Sequence, residues 1–181
     1  MKYHKDMSNK NTFTQIDVEN LNENPFELIG KDWMLITAEK DGRTNMMTAS
    51  WGGLGVLWNK NVATVYIRKS RFTKEFVDDG DTFTLCIMDE KYKKELGFCG
   101  SKSGRDEDKI KATGFTVEHA DKNCPYFAES RLVFVCKKLY AQEMNADCFT
   151  KEGKDLPEKF YATDDWHVMY IGEIEKVLKA N

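Results

Sequence analysis

Residues 45–55 read Asn45-Met46-Met47-Thr48-Ala49-Ser50-Trp51-Gly52-Gly53-Leu54-Gly55, and residues 62–73 read Val62-Ala63-Thr64-Val65-Tyr66-Ile67-Arg68-Lys69-Ser70-Arg71-Phe72-Thr73. The first stretch predicts a strand of small side chains running into a glycine-rich turn, where backbone amides and carbonyls stay open to a flat ligand. The second is rich in β-branched residues, as a strand should be, and ends in cations and hydroxyls. A helix is expected to begin near Ser70. Its free amides and dipole, together with Arg68 and Arg71, would make a site for an anion such as a phosphate. Each piece alone has a plainer reading. Thr48, Ala49, Ser50 and Trp51 also describe a strand that simply packs on its neighbour, Ser70 an ordinary helix N-cap, and the two arginines surface charge. What favours the anion is the spacing of Arg68, Ser70, Arg71 and Thr73 about one strand-to-helix corner.

Upstream, residues 33–37 form a strand candidate, and Asp41-Gly42 marks a hairpin turn into a second strand over 44–51. Downstream, residues 54–58 are apolar, Asn59-Lys60-Asn61 reads as a turn, and Phe72, Phe76 and Val77 give residues 70–79 helical spacing before Gly80. Strand patterns follow at 82–88, 115–118, 126–127, 131–144 and 166–177. Helical ones lie at 91–98 and from the acidic residues 106–108 to about residue 113. Residues 145–165 read as a loop broken by Gly153 and Pro157. Many short strands with about three short helices between them predict a mainly β fold, a closed or nearly closed antiparallel barrel rather than a doubly wound sheet. Residues 1–24 are polar and predict an extended arm, free to dock on a neighbouring subunit. Residues 25–181 are expected to form one domain.

Composition fits one soluble globular domain: 181 residues, 41% hydrophobic, 31% charged, formal net charge -3. That balance argues against nucleic acid or an anionic membrane as the main partner. The N-terminal residues have no apolar segment behind their charges, and charged residues interrupt every apolar run, so neither a secretory signal nor a transmembrane helix is expected. A cytoplasmic location is the default. The five cysteines, Cys86, Cys99, Cys124, Cys136 and Cys148, form no C-x-x-C pair and read as reduced thiols, mostly core fillers.

Gly53-Leu54-Gly55 is not a dinucleotide fingerprint, because Trp58 holds the third glycine position and no helix follows. The loop Ser101-Lys102-Ser103-Gly104-Arg105 reads either as a second anion-binding turn or as a solvated one. His167 sits in a strand, where a lone histidine is more often structural than catalytic. No His or Cys pair has metal-ligand spacing, so no metal site is expected.

Taken in order, Asn45-x-Met47-Thr48-Ala49-Ser50-Trp51, Tyr66-x-Arg68-x-Ser70-Arg71-x-Thr73, Gly100-x-x-Ser103-Gly104-Arg105-x-x-Asp108-Lys109 and His167-x-x-Tyr170-x-Gly172-Glu173 resemble the flavin reductase-like family, and within it the flavoredoxins. The resemblance runs from about residue 33 to residue 177. It implies an FMN-binding split β-barrel of about six antiparallel strands in Greek-key order, assembled as a homodimer. It implies that Thr48, Ala49, Ser50 and Trp51 line the isoalloxazine, with Asn45 counted among the cofactor-binding residues, and that Arg68, Ser70, Arg71 and Thr73 hold the phosphate. Ser103, Arg105 and Lys109 would form a second tier, and His167 would lie near the flavin or nicotinamide as the catalytic candidate. The activity implied is hydride transfer from NADH or NADPH to flavin and on to an acceptor. The alternative is an FMN electron carrier that exchanges electrons with a redox protein and uses no nicotinamide.

Overall fold

The computed structural model describes residues 12–121 and 123–181. Ten strands lie in the described residues: β1 Phe13–Ile16, β2 Met34–Lys40, β3 Arg43–Ala49, β4 Gly52–Leu57, β5 Lys60–Arg68, β6 Thr82–Met88, β7 Val117–His119, β8 Pro125–Phe127, β9 Ser130–Glu143 and β10 His167–Ala180. The helices are α1 Pro25–Glu27, α2 Phe72–Asp79, α3 Lys93–Ser101, α4 Lys109–Thr113 and α5 Leu156–Tyr161. The main sheet runs β3-β2-β6-β9-β10-β5-β4, all neighbours antiparallel, with β1 added on β10 and β7-β8 as a separate hairpin.

That order forces curvature. The two ends of the path, β3 and β4, are consecutive in the chain and joined only by Ser50 and Trp51. Three peptide units span about 11 Å, whereas seven flat strands at about 4.8 Å spacing would separate the ends by about 29 Å. The sheet therefore rolls until its ends meet. No pairing joins β3 to β4 among the described residues, so the barrel is split at this seam.

Side-chain alternation divides the core in two. Met34, Ile36, Phe83, Leu85, Phe134 and Tyr170 fill the barrel, plugged by Phe76 and Val77 of α2. Their neighbours Leu35, Cys86, Met88, Val133 and Val135 point outward and are covered by Leu96 and Cys99 of α3 and by Tyr126 and Phe127 of β8. The central strands are buried on both faces, which is why they read as unbroken apolar runs. Truncating a fully buried ring such as Phe134 would cost about 3–5 kcal/mol.

The expected hairpin at Asp41-Gly42 is present as a two-residue turn with φ of 50° and 71°, the left-handed pair that matches strand twist. Other expectations need correction. Residues 52–55 are not a turn but the start of β4; Gly52 lacks a side chain because a Cβ there would sit 2.7 Å from the Thr64 carbonyl. The turn placed at Asn59–Asn61 lies instead at Trp58-Asn59, with φ of 54° and 56°. Residues 145–165 are not all loop, since Pro157 sits in the first turn of α5, where its missing N–H costs nothing. Of the polar arm, Phe13–Ile16 pairs with the last residues of β10 in the same chain, while residues 1–11 lie outside the described part. The cysteines are free thiols, four of them buried and Cys148 exposed.

Candidate functional site

The open seam between β3 and β4 faces the end of β5, the head of α2 and the start of β10. Three cavities run along it, and they share walls. An anion-sized one of about 160 Å³ is lined by Ser70, Arg71, Thr73, Lys102, Ser103 and Lys109 among others. Its neighbour, about 260 Å³, is lined by Thr48, Ala49, Ser50, Trp51, Arg68 and His167, and shares Met47 and Arg71 with the first. The third, about 560 Å³, is mostly apolar and shares Ser50, Trp51, Tyr66 and His167 with the second. A cationic corner, a flat slot and an apolar chamber thus follow one another.

Among the described residues, no carboxylate lines the first two cavities. In the first, three cations meet four hydroxyls, those of Ser70, Thr73, Ser101 and Ser103. The helix there differs from expectation. It starts at Phe72, not Ser70, with Arg71 in the cap position and no side chain capping it, so its leading amides keep their donor capacity toward the cavity that Phe72 and Thr73 line. Ser70 is not the N-cap. Its amide donates to Asp165 Oδ1 at 2.9 Å and its hydroxyl to Oδ2 at 2.6 Å. Burial opposes the charge on Asp165, yet those two bonds, with Arg68 nearby, hold its carboxyl below the usual range.

The four residues read as one phosphate corner divide between cavities. Arg71 faces both of the first two and donates to the Gly100 carbonyl at 2.7 Å. Thr73 is buried and accepts from Asn45 Nδ2 at 2.9 Å, so Asn45 braces the corner from behind. Arg68 belongs to the flat slot, and its guanidinium is engaged by the carbonyls of Phe160 at 3.1 Å and Asp165 at 2.7 Å. There it fastens the segment around α5 to β5.

Of the second tier, Ser103 and Lys109 line the anion-sized cavity and Arg105 does not. Arg105 donates to Glu75 Oε1 at 2.5 Å and to the Ser70 carbonyl at 3.1 Å, and stacks over Phe72, tying its loop to α2. Lys109 is buried and donates to the carbonyls of Cys99 and Lys102 at 3.1 and 3.3 Å. Burial, aided by the Arg71 charge, brings its ammonium down to about 8.

His167 is buried between Trp51 and Tyr66, with the Trp51 ring centroid 5.2 Å away, and its Nδ1 shares a 2.9 Å hydrogen bond with the Tyr161 hydroxyl. Burial first, then Arg68, pulls the imidazole down to about 4, so the ring is neutral near pH 7. Sequence reading missed Tyr161, Phe160 and Asp165, all in the segment taken for a loop. The available signal was the aromatic cluster Phe160-Tyr161 and Trp166, whose Tyr161 and Trp166 rings stack at 4.2 Å.

A family model described as "Flavin reductase like domain" matches residues 27–181. No curated protein sequence matches the chain significantly. Among solved structures, a flavoredoxin from Methanosarcina acetivorans aligns with a TM-score of 0.64 at 22% identity, covering 81% of this chain and 67% of that one. An FMN-binding domain of a flavin reductases-like enzyme from Shewanella baltica gives 0.67 at 16% identity, covering 94% and 78%. The flavoredoxin of Desulfovibrio vulgaris gives 0.64 at 20% identity, covering 93% and 77%. At these identities the structural likeness establishes the split-barrel fold.

Proposed function

The chain belongs to the flavin reductase-like family, close to the flavoredoxins, and from that premise we propose that it is an FMN-dependent oxidoreductase of the NAD(P)H:flavin reductase type. The observation that carries the reading is the shared wall: Arg71 and Met47 join a carboxylate-free, hydroxyl-rich corner to a flat slot. A phosphate-bearing planar cofactor needs those two environments at that connection. FMN, when bound, supplies two-electron chemistry between a nicotinamide and a second acceptor.

The chain's own residues then have distinct tasks. Arg71 and Lys109 would balance phosphate charge, and Thr73, Ser103 and the uncapped head of α2 would donate hydrogen bonds to it, while Ser70, whose amide and hydroxyl both donate to Asp165, shapes the corner. Thr48, Ala49, Ser50 and Trp51, which line the flat slot, would hold the ring. His167, kept neutral, offers a hydrogen-bonding ring beside the slot without adding charge. Trp51 bounds both the slot and the apolar chamber and limits water at the ring face.

An electron carrier without nicotinamide activity is the second reading, favoured by the likeness to two flavoredoxins. Anaerobic titration of flavin-loaded protein separates the two. Rapid bleaching by NADH or NADPH supports the enzyme, bleaching only by a reduced protein donor supports the carrier, and protein that stays colourless when titrated with FMN ends both.

A homodimer is the proposed assembly. Val56, Leu57 and Trp58 on the β4–β5 hairpin are exposed, with Trp58 6.2 Å from Tyr140 of β9, an apolar patch suited to a second copy. A cytoplasmic location accompanies this reading, supported by the free cysteines. No helix among the described residues is long and apolar enough to cross a membrane.

A further inference from the structure

Three sulfur side chains meet where β9 ends and β10 begins. Val168 stands opposite Glu143 and Met169 opposite Gln142, and the Met144 amide donates to the His167 carbonyl at 2.9 Å. Met144 and Met169 are therefore diagonal neighbours on one face of the sheet, a separation that side chains as long as methionine can bridge. One 3-10 turn, Ala146–Cys148, then folds the chain back. Asn145 braces it, its carbonyl accepting from the Cys148 amide at 3.2 Å and its Oδ1 from the Asp147 amide at 2.8 Å. The turn returns Cys148 to the methionines, and all three line one open cavity of about 240 Å³. Glu143 lines it too, with its carboxylate paired to Lys69 at 2.8 Å, so sulfur rather than net charge distinguishes the place.

We propose that Met144, Cys148 and Met169 form a binding site for one soft monovalent metal ion, Cu(I), held by two thioethers and one thiolate. Such donors select soft ions over the hard cations that take oxygen ligands. Cys148 is exposed while the other four cysteines are buried, so it is the thiol that an ion from solvent meets. The Met144 sulfur takes only a weak bond from the Tyr161 hydroxyl, at 3.7 Å, and the polarizable thioether remains a donor. Binding exchanges the S–H bond of Cys148 for an S–Cu bond and releases the proton to solvent, and no electron moves. Two of the three donors are methionines, which is why the spacing of His and Cys along the chain did not announce the site. The site needs no flavin.

Anaerobic titration of the purified protein with the Cu(I)–bicinchoninate complex tests this, the loss of its colour counting the ions taken. The expected result is one ion per chain, and none in Cys148→Ser. Met144→Leu and Met169→Leu nearly conserve side-chain volume and should fold, yet each should weaken Cu(I) binding about tenfold or more. Wild-type protein that takes no Cu(I), uptake undiminished in Cys148→Ser, or leucine variants that bind as tightly as the wild type overturn the inference; in the last case Cys148 is a bare surface thiol. X-ray absorption of the Cu(I)-loaded wild type needs no variant. A shell of sulfur donors alone supports the site, and nitrogen or oxygen in that shell overturns it.

Discussion

The hydroxyl of Tyr161 on α5 and Nδ1 of His167 on β10 lie 2.9 Å apart and fasten the segment before β10 to the wall of the site. The state of the histidine has another cause: burial first, then the charge of Arg68, pulls the imidazole down to about 4.

His167 should therefore remain neutral across pH 5–8. The unfolded chain binds a proton on this ring below about 6.5, while the folded chain resists until about 4. The unfolded state thus holds more protons in that window, and stability falls as pH drops from 6.5 to 4. Urea unfolding at pH 5 and pH 7 should show a larger loss for the wild type than for His167→Gln. An NMR titration that places His167 near 6.5 would refute the argument. Tyr161→Phe removes one hydrogen bond and should cost about 1 kcal/mol.

Arg71 and Arg68 should behave differently. Arg71 faces the anion-sized cavity, so Arg71→Ala should weaken FMN binding by about ten- to a hundredfold, the size of a lost charge-assisted contact. Riboflavin, which lacks the phosphate, should be little affected. Arg68 holds the carbonyls of Phe160 and Asp165, so Arg68→Ala should weaken FMN and riboflavin alike. Paired fluorescence titrations give both ratios; equal losses of FMN and riboflavin in Arg71→Ala would remove the phosphate assignment.

Lys109, down at about 8 through burial, should make FMN affinity decline as pH rises from 8 to 10, because the neutral amine no longer balances phosphate charge. A Lys109→Met variant should bind more weakly at pH 7 and lose that dependence. For stability the sign is opposite: the unfolded lysine, near 10.4, holds its proton longer, so burial costs less as pH passes 8.

Gly104 and Asn45 are too close for any side chain between them. A Cβ on Gly104 would lie 2.3 Å from Asn45 Oδ1 and 3.1 Å from Phe72 Cδ1. Gly104→Ala should destabilise by about 1–3 kcal/mol, as overpacking does. Adding Asn45→Ala should recover part of that loss, a coupling that chemical denaturation of the four proteins of the cycle would measure.

The β4–β5 hairpin carries the exposed patch proposed to join two copies. Val56 stands 73% exposed, so Val56→Glu should not harm the fold. Light scattering should report a dimer for the wild type and a monomer for the variant; a wild-type monomer would remove the patch as an interface.

Much of the fold was legible because strands announce themselves locally. Thr82–Met88 has the bounds its pattern predicted, and Asp41-Gly42 supplied the turn chemistry that pairs β2 with β3. The glycines after Trp51 misled, because glycine marks close approach as well as turning, and at Gly52 the reason is a carbonyl on the next strand. Residues 145–165 misled because Pro157 breaks a helix interior but suits its first turn.

The sequence by itself determined the kind of chain this is: alternating and doubly apolar runs that must form a β core, with hydroxyls and cations gathered near residues 68–73 and 101–109. Those properties are local, written in side-chain chemistry and period. Only the tertiary structure decided that Arg71 joins two cavities while Arg68 braces α5, that Asp165 holds Ser70, and that burial beside Arg68 keeps His167 neutral. Such partners are set by sheet order and closure, which bring together residues about a hundred positions apart, such as Arg68 and Asp165, and spacing along a chain carries no record of that approach.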